Sequence, residues 1–144
     1  MKESITDLMN KDHGKIFDFL FEFESCFGLD ISKIQEMFNT FKWNLERHLF
    51  LEEKALFEIS GDIMSDEVSN IFDLMKDHGD ILEIIKKIEN NFSGDFIQDF
   101  INLKQTLKKH VEFEDMVFYP RLDDKLSDDK KKEMISRIKE VIAV

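Results

Sequence analysis

The chain contains four histidines, and they form two matched pairs. His13 and His78 lie in the repeated pattern D-H-G-x-I, in the segments KDHGKI and KDHGDI. His48 and His110 begin the repeated pattern H-x-x-x-E-[E/D], in the segments HLFLEE and HVEFED. His78 follows His13 by 65 residues, and His110 follows His48 by 62. Each half of the chain therefore supplies two imidazoles and a carboxylate, which are the nitrogen and oxygen donors that a two-metal site requires.

Four segments of the chain carry apolar residues at alternating steps of three and four, which is the period of helices packed side by side. The breaks between these segments fall at residues 28–30, 60–65 and 91–95. This period predicts an all-α fold, and the short connections favour antiparallel neighbouring helices. Its expected form is an up-down-up-down antiparallel four-helix bundle with a short C-terminal fifth helix.

Capping residues mark the ends of the predicted helices. Asp30, Ser65 and Asp95 are the predicted N-caps of the second, third and fourth helices. Pro120 is predicted to end the fourth helix, because proline removes a hydrogen bond from a helix interior. The fifth helix is predicted over residues 127–142, with its apolar side chains facing the bundle.

Six polar residues lie on helix faces that otherwise carry Leu, Ile or Phe. These residues are His13, His48, Glu52, His78, His110 and Glu114. A buried carboxylate without a partner is strongly destabilising, so these groups need compensation. Counted from the connections, the four histidines lie about 24 Å from the same end of the bundle, at about 1.5 Å per residue. Each glutamate follows its histidine by one turn on the same face, so we predict that all six side chains meet in one layer.

A layer of this composition suits a pair of metal ions. Each H-x-x-x-E pair can place its histidine on one ion while its glutamate spans both ions. Two imidazoles and two bridging carboxylates then reach each ion, an oxo, hydroxo or water bridge adds a further donor, and one position stays open for a small ligand. Iron or manganese suits this mixed nitrogen and oxygen set, whereas zinc is possible but prefers four donors and lacks redox chemistry.

The order H…H-x-x-x-E…H…H-x-x-x-E resembles the hemerythrin-like, or HHE cation-binding, family, whose fold is a four-helix bundle. The resemblance runs from His13 to the E-D-M-V-F-Y-P stretch at the end of the fourth predicted helix. It implies a single hemerythrin-like domain over residues 1–144, with a non-haem di-iron centre that meets O₂ or a related small molecule. It also implies that the four histidines are terminal ligands and that Glu52 and Glu114 are bridges.

Two positions depart from the oxygen-carrying members of that family. Those proteins have a further histidine one turn before the third-helix histidine, where this chain has Leu74. With four histidines in place of five, the two metals become more alike, which argues against simple reversible O₂ carriage. The carriers also use an aspartate five residues after the last histidine, where Asp115 stands. We predict Glu114 as the ligand, with Asp115 as the alternative to it and Glu53 as the alternative to Glu52.

The residues beside His13 and His78, and the single tyrosine, are predicted to lie outside the metal site. Asp12 and Asp77 precede their histidines and are predicted to be solvated surface residues. Gly14 and Gly79 either follow their histidines by coincidence or let a neighbouring helix approach the ligands closely, and the second is the sharper hypothesis. Tyr119 lies more than a turn beyond the last glutamate and is not predicted to face the metals.

The composition narrows the range of functions. The formal net charge of −11 argues against nucleic acids and anionic membrane surfaces, whose phosphates attract Lys and Arg. Cys26 is the only cysteine, so no disulfide forms within the chain, and we predict a reducing, cytoplasmic location. The apolar run at residues 17–27 carries three acidic residues, so neither a signal peptide nor a membrane span is predicted.

Three functions remain. The first is a di-iron protein that binds or senses O₂, NO or peroxide, and it is favoured because no cofactor motif or substrate cleft is evident. The second is a di-iron enzyme acting on peroxide, NO or ferrous iron. The third is a metal-stabilised structural or interaction domain. The sequence does not fix the oligomeric state.

Overall fold

The computed structural model describes residues 3–142, which are helical apart from short connections and contain no strand. This confirms the all-α prediction. The α-helices are α1 (Ile5–Ser25), α2 (Ile31–Leu51), α3 (Glu58–Ile63), α4 (Val68–Glu89), α5 (Ile97–Phe113), α6 (Tyr119–Lys125) and α7 (Asp128–Ile142). No helix among these residues combines the length and the hydropathy needed to cross a bilayer.

Two π-helical turns make the longest helical runs continuous. Glu52–Phe57 joins α2 to α3, and Glu114–Phe118 joins α5 to α6. Each π-helical turn begins at one of the two glutamates that the sequence selects. Such turns are rare, and they occur frequently at functional sites.

The helix starts agree only partly with the predicted caps. The Asp30 carboxylate accepts a hydrogen bond from the Lys33 backbone N–H and caps α2, as predicted. The Asp95 carboxylate accepts from the Ile97 N–H at 3.1 Å, although Phe96 holds the cap position of α5. The prediction for Ser65 is wrong, because this residue begins a 3₁₀ turn, Ser65–Glu67, that precedes α4.

The prediction that Pro120 ends the fourth helix is also wrong, since the chain stays helical to Lys125. Pro120 lies in the first turn of α6, directly after a π-helical turn. Proline is tolerated at the first turn of a helix, where its missing N–H does not break an established hydrogen bond. The change from π-helical to α-helical register supplies such a position inside a continuous run.

Two apolar clusters fill the interior. The first contains Phe23, Phe38 and Phe100 and extends along α1, α2, α4 and α5. The second contains residues of α1, α3, α4 and α6, and α7 packs on it through Met134 and Ile138. On each long helix the histidine lies in sequence between residues of the first cluster and residues of the second. The polar layer therefore separates two apolar regions, which isolates it from water.

Candidate metal centre

The structure brings the six predicted side chains together. Each of the six residues is at most 2 % exposed. The Nε2 atoms of His13 and His48 lie 3.0 Å apart. The rings of His78 and His110 have centroids 5.0 Å apart. Each half of the chain thus contributes one pair of adjacent imidazoles.

The two glutamates lie between the histidine pairs. Glu52 Oε1 is 3.3 Å from His48 Nε2 and 3.2 Å from His78 Nε2. Glu114 Oε1 is 3.4 Å from His13 Nε2 and 3.2 Å from His110 Nε2. Each carboxylate therefore contacts a histidine from both halves, which is the placement that a bridging ligand requires.

Within residues 3–142, two groups of potential ligand atoms are compact enough to hold a metal ion. Within each group the atoms lie within 4.8 Å of one another. The groups are Glu52, His78, His110 and Glu114, and His13, His48 and Glu114.

Two of the imidazoles contact an aspartate through Nδ1, the ring nitrogen that points away from the centre. Asp12 is buried and lies 2.6 Å from His48 Nδ1, and its other oxygen accepts from Arg47 at 3.0 Å. Asp77 lies 3.0 Å from His110 Nδ1. The prediction of a solvated surface residue is therefore wrong for Asp12, whereas the Asp77 side chain is 41 % exposed and contacts a histidine as well. The side chain that precedes a helical histidine points to the neighbouring helix, where it meets the next histidine.

Glu53 and Asp115, the two residues predicted as alternative ligands, also lie beside an Nδ1 atom. Glu53 lies 3.3 Å from His78 Nδ1, and Asp115 lies 2.8 Å from His13 Nδ1. Both carboxylates are thus on the far side of their imidazoles from the converging Nε2 atoms. All four histidines have a carboxylate partner at Nδ1, as metal-ligating histidines generally do.

These outer contacts set the tautomer of the imidazoles. An ionised carboxylate only accepts hydrogen bonds, so each Nδ1 carries the proton, and a neutral ring presents its Nε2 lone pair to the centre. Among the described residues, neither carboxylate oxygen of Glu114 nor Nε2 of His110 has a hydrogen-bond partner of good geometry. Converging lone pairs and an unpartnered buried carboxylate are destabilising without a cation. The donor set therefore fits a metal.

The protein was compared with known families and proteins. The family model described as the hemerythrin HHE cation-binding domain matches residues 4–122. The chain belongs to this family. The match includes all four histidines and both glutamates of the layer, and it excludes α7. Neither the curated proteins nor the solved structures gave a match.

Charges inside the HHE domain shift the pKa values of two of these groups. Burial disfavours protonation of His48, but the negative charges of Glu52 and Asp12 outweigh it and raise the pKa of His48 to about 9. Burial disfavours ionisation of Glu52, but the adjacent imidazoles, His48 above all, lower the pKa of this carboxyl well below its usual value. In the absence of a cation, a protonated His48 compensates Glu52. A bound cation has to displace that proton.

Tyr119 also belongs to this site of the HHE domain, which the sequence interpretation missed. Its side chain is fully buried, and its hydroxyl donates to Glu52 Oε2 at 2.7 Å. The hydroxyl oxygen lies 3.3 Å from His13 Nε2. The i→i+5 hydrogen-bond register of the π-helical turn brings residue 119 back to the face of Glu114, which an α-helical period does not predict. Burial and the charge of Glu52 raise the pKa of Tyr119 well above its usual value, so the phenol stays protonated.

A surface cavity of about 890 Å³ lies beside one side of the metal centre of the HHE domain. Glu53 and Phe57 line it together with apolar side chains that include Phe72 and Met75. The Phe57 ring lies 5.4 Å from the His78 ring. Phe57 and Glu53 are therefore the residues between His78 and the cavity.

The glycines that follow two of the histidines of the HHE domain do not serve close helix packing. Gly14 and Gly79 are exposed, and a Cβ atom placed at either position meets nothing within 4 Å. The expectation of a close helix approach is therefore wrong. The position that follows each of these histidines therefore lies on the solvent side of its helix, whereas the position that precedes it faces a neighbouring helix.

Proposed function

We propose that this HHE domain holds two iron ions. His13 and His48 bind one ion, His78 and His110 bind the other, and Glu52 and Glu114 bridge them. The observation that carries this proposal is the position of the bridges, because each glutamate contacts one histidine of each pair at 3.2–3.4 Å. Manganese shares the preference for mixed nitrogen and oxygen donors, whereas zinc favours four-coordinate sites.

The proposed role is the binding or sensing of a small molecule such as O₂, NO or peroxide. When bound, two ferrous ions supply electrons and open coordination positions for such a molecule. Two imidazoles and two shared carboxylates leave room at each ion for a bridging oxygen and an exogenous ligand. The apolar surroundings support this role, since they exclude bulk water and suit a small uncharged ligand.

An enzymatic role is the second candidate, with peroxide, NO or ferrous iron as substrate. The cavity beside Phe57 and Glu53 supports it, because both of these residues line the cavity and also contact His78. A metal-stabilised structural domain is the third candidate. In anaerobically reconstituted protein, a reversible spectral change with one ligand bound per centre supports binding, and sustained consumption of peroxide or NO supports catalysis. A zinc protein without redox response supports the third candidate.

We also infer the finer architecture, an up-down-up-down bundle formed by one domain. Two contacts between α1 and α2 support an antiparallel pair, because His13 meets His48 while the later Phe23 meets the earlier Phe38. The contact of His78 with His110 and the short connection between α4 and α5 support a second antiparallel pair. The single cysteine supports a reducing, cytoplasmic location.

The metal proposal is tested by two matched glutamine substitutions in the same helical run. Glu114→Gln removes a proposed bridge, and Glu112→Gln changes an exposed carboxylate two residues earlier. After anaerobic reconstitution with ferrous iron, we expect about two ions per chain in the original protein and in Glu112→Gln, and fewer in Glu114→Gln. Equal iron content in the two variants contradicts the bridging role of Glu114.

A further inference from the structure

The two halves of the metal centre differ at one pair of equivalent residues. Phe57 and Tyr119 each follow a proposed bridging glutamate by five residues; Phe57 ends one π-helical turn, and Tyr119 directly follows the other. The Phe57 ring lies 5.4 Å from the His78 ring, with 31° between the ring planes. The Tyr119 ring lies 5.6 Å from the His13 ring, also with 31° between the planes. Each aromatic ring therefore covers a histidine of the other half in the same way.

The difference between these equivalent rings is one hydroxyl group. The Tyr119 hydroxyl donates to Glu52 Oε2 at 2.7 Å, and a hydrogen bond to an ionised acceptor is among the stronger ones in proteins. Phe57 has no such group, and among residues 3–142 neither oxygen of Glu114 has a hydrogen-bond partner of good geometry. The Glu52 bridge is thus held by a fixed donor, whereas the equivalent Glu114 bridge is not.

The same hydroxyl also occupies space on one side of the centre. Its oxygen is 3.3 Å from His13 Nε2, the atom that would bind an ion shared with His48, so the hydroxyl fills space beside that position. Leu74, which lies one turn before His78, supplies no donor to the other ion. The surface cavity adjoins this second side, behind Phe57.

We propose that Tyr119 is a positioning residue that makes the two metal positions different and directs a small ligand to the ion on His78 and His110. This inference rests on the proposed two-iron centre. The phenol acts through the Glu52 carboxylate and through the space that it fills beside His13. The equivalent apolar ring of Phe57 leaves the other position free of a polar neighbour.

Removal and relocation of the hydroxyl test this proposal. Tyr119→Phe removes it, Phe57→Tyr adds a second one, and the double variant Phe57→Tyr with Tyr119→Phe moves it to the other half. The readout is the Mössbauer spectrum of protein loaded anaerobically with ⁵⁷Fe(II), with iron content measured beside it. We expect two distinct iron signals in the original protein and in the double variant. In each single variant we expect the two signals to converge.

Titration with nitric oxide gives the second readout. We expect the original protein to take up one NO per chain with a change in one iron signal, and Tyr119→Phe to take up two. If Tyr119→Phe binds two irons but keeps two distinct signals and one NO per chain, the assignment of Tyr119 is overturned while the two-iron centre stands. If the original protein does not bind two irons, the proposed function fails, and this inference fails with it.

Discussion

Replacing Asp12 by asparagine removes the charge that holds His48, while the size of the side chain is kept. Asp12 is buried, and its two oxygens serve two donors, His48 Nδ1 at 2.6 Å and Arg47 at 3.0 Å. An asparagine has one acceptor oxygen, so its amino group must face either the imidazole or the guanidinium. The variant therefore loses the acceptor that fixes the tautomer of His48, or it leaves Arg47 without an acceptor at this position.

The size of the effect follows from the position of this contact. Loss of the hydrogen-bond partner of a metal-ligating histidine typically lowers metal affinity about 10–100-fold, or about 1.4–2.7 kcal/mol. We expect Asp12→Asn to lie near the upper end, because its contact with His48 is short and shielded from water. Asp77→Asn is the matched control in the other half. Asp77 is 41 % exposed and 3.0 Å from His110, so water can replace it, and we expect a loss of about 10-fold or less.

The assay is anaerobic competition between the protein and a chromophoric chelator for ferrous iron. Urea unfolding of each metal-free variant is measured beside it, so that a loss of affinity is separated from a loss of stability. Unchanged iron affinity in Asp12→Asn refutes the reasoning. A larger loss in Asp77→Asn than in Asp12→Asn refutes the dependence on burial.

Two further predictions concern stability. The pKa of His48 is raised from 6.5 to about 9 in the metal-free fold, so its contribution is fully present below pH 6.5 and is lost as the pH rises through 9. That difference corresponds to about 3 kcal/mol, and urea unfolding in chelator at these pH values is expected to show this decrease, whereas stability that rises over the same interval contradicts it. Phe23→Ala, in the first apolar cluster, is expected to cost about 3–5 kcal/mol of unfolding free energy. Its iron content is expected to stay at about two per chain, and loss of iron at full stability argues against the separation of core and site.

The six residues of the polar layer were predictable because they interrupt an apolar pattern. A histidine or glutamate on a face of Leu, Ile and Phe is visible in the sequence, and counting residues from the connections gives its depth. His13, His48, His78 and His110 meet in one layer for this reason. Helical period and helix length were sufficient for this part of the site.

The partners on the outer side were harder to predict because they depend on how each helix is rotated against its neighbour. Asp12 precedes one histidine and contacts the histidine of the next helix. A signal was present, since Asp12 and Asp77 occupy equivalent positions in the repeated D-H-G pattern. The adjacent acidic pairs Glu52–Glu53 and Glu114–Asp115 also repeat in the two halves. In each pair the first residue faces the centre and the second contacts an Nδ1 atom.

The π-helical turns explain two further errors, at Tyr119 and Pro120. The apolar period of the sequence does not reveal these turns, although each begins at the glutamate of a repeated motif. They bring Tyr119 into the site and allow Pro120 to lie within a continuous helical run. An α-helical period places both residues incorrectly.

The most direct test of the two-iron centre is anomalous diffraction at the iron edge from crystals of the protein loaded anaerobically with ferrous iron. We predict two iron peaks per chain, one beside His13 and His48 and the other beside His78 and His110. Density for Glu52 and Glu114 should connect the two peaks. A single peak, or iron bound away from these histidines, contradicts the proposed centre.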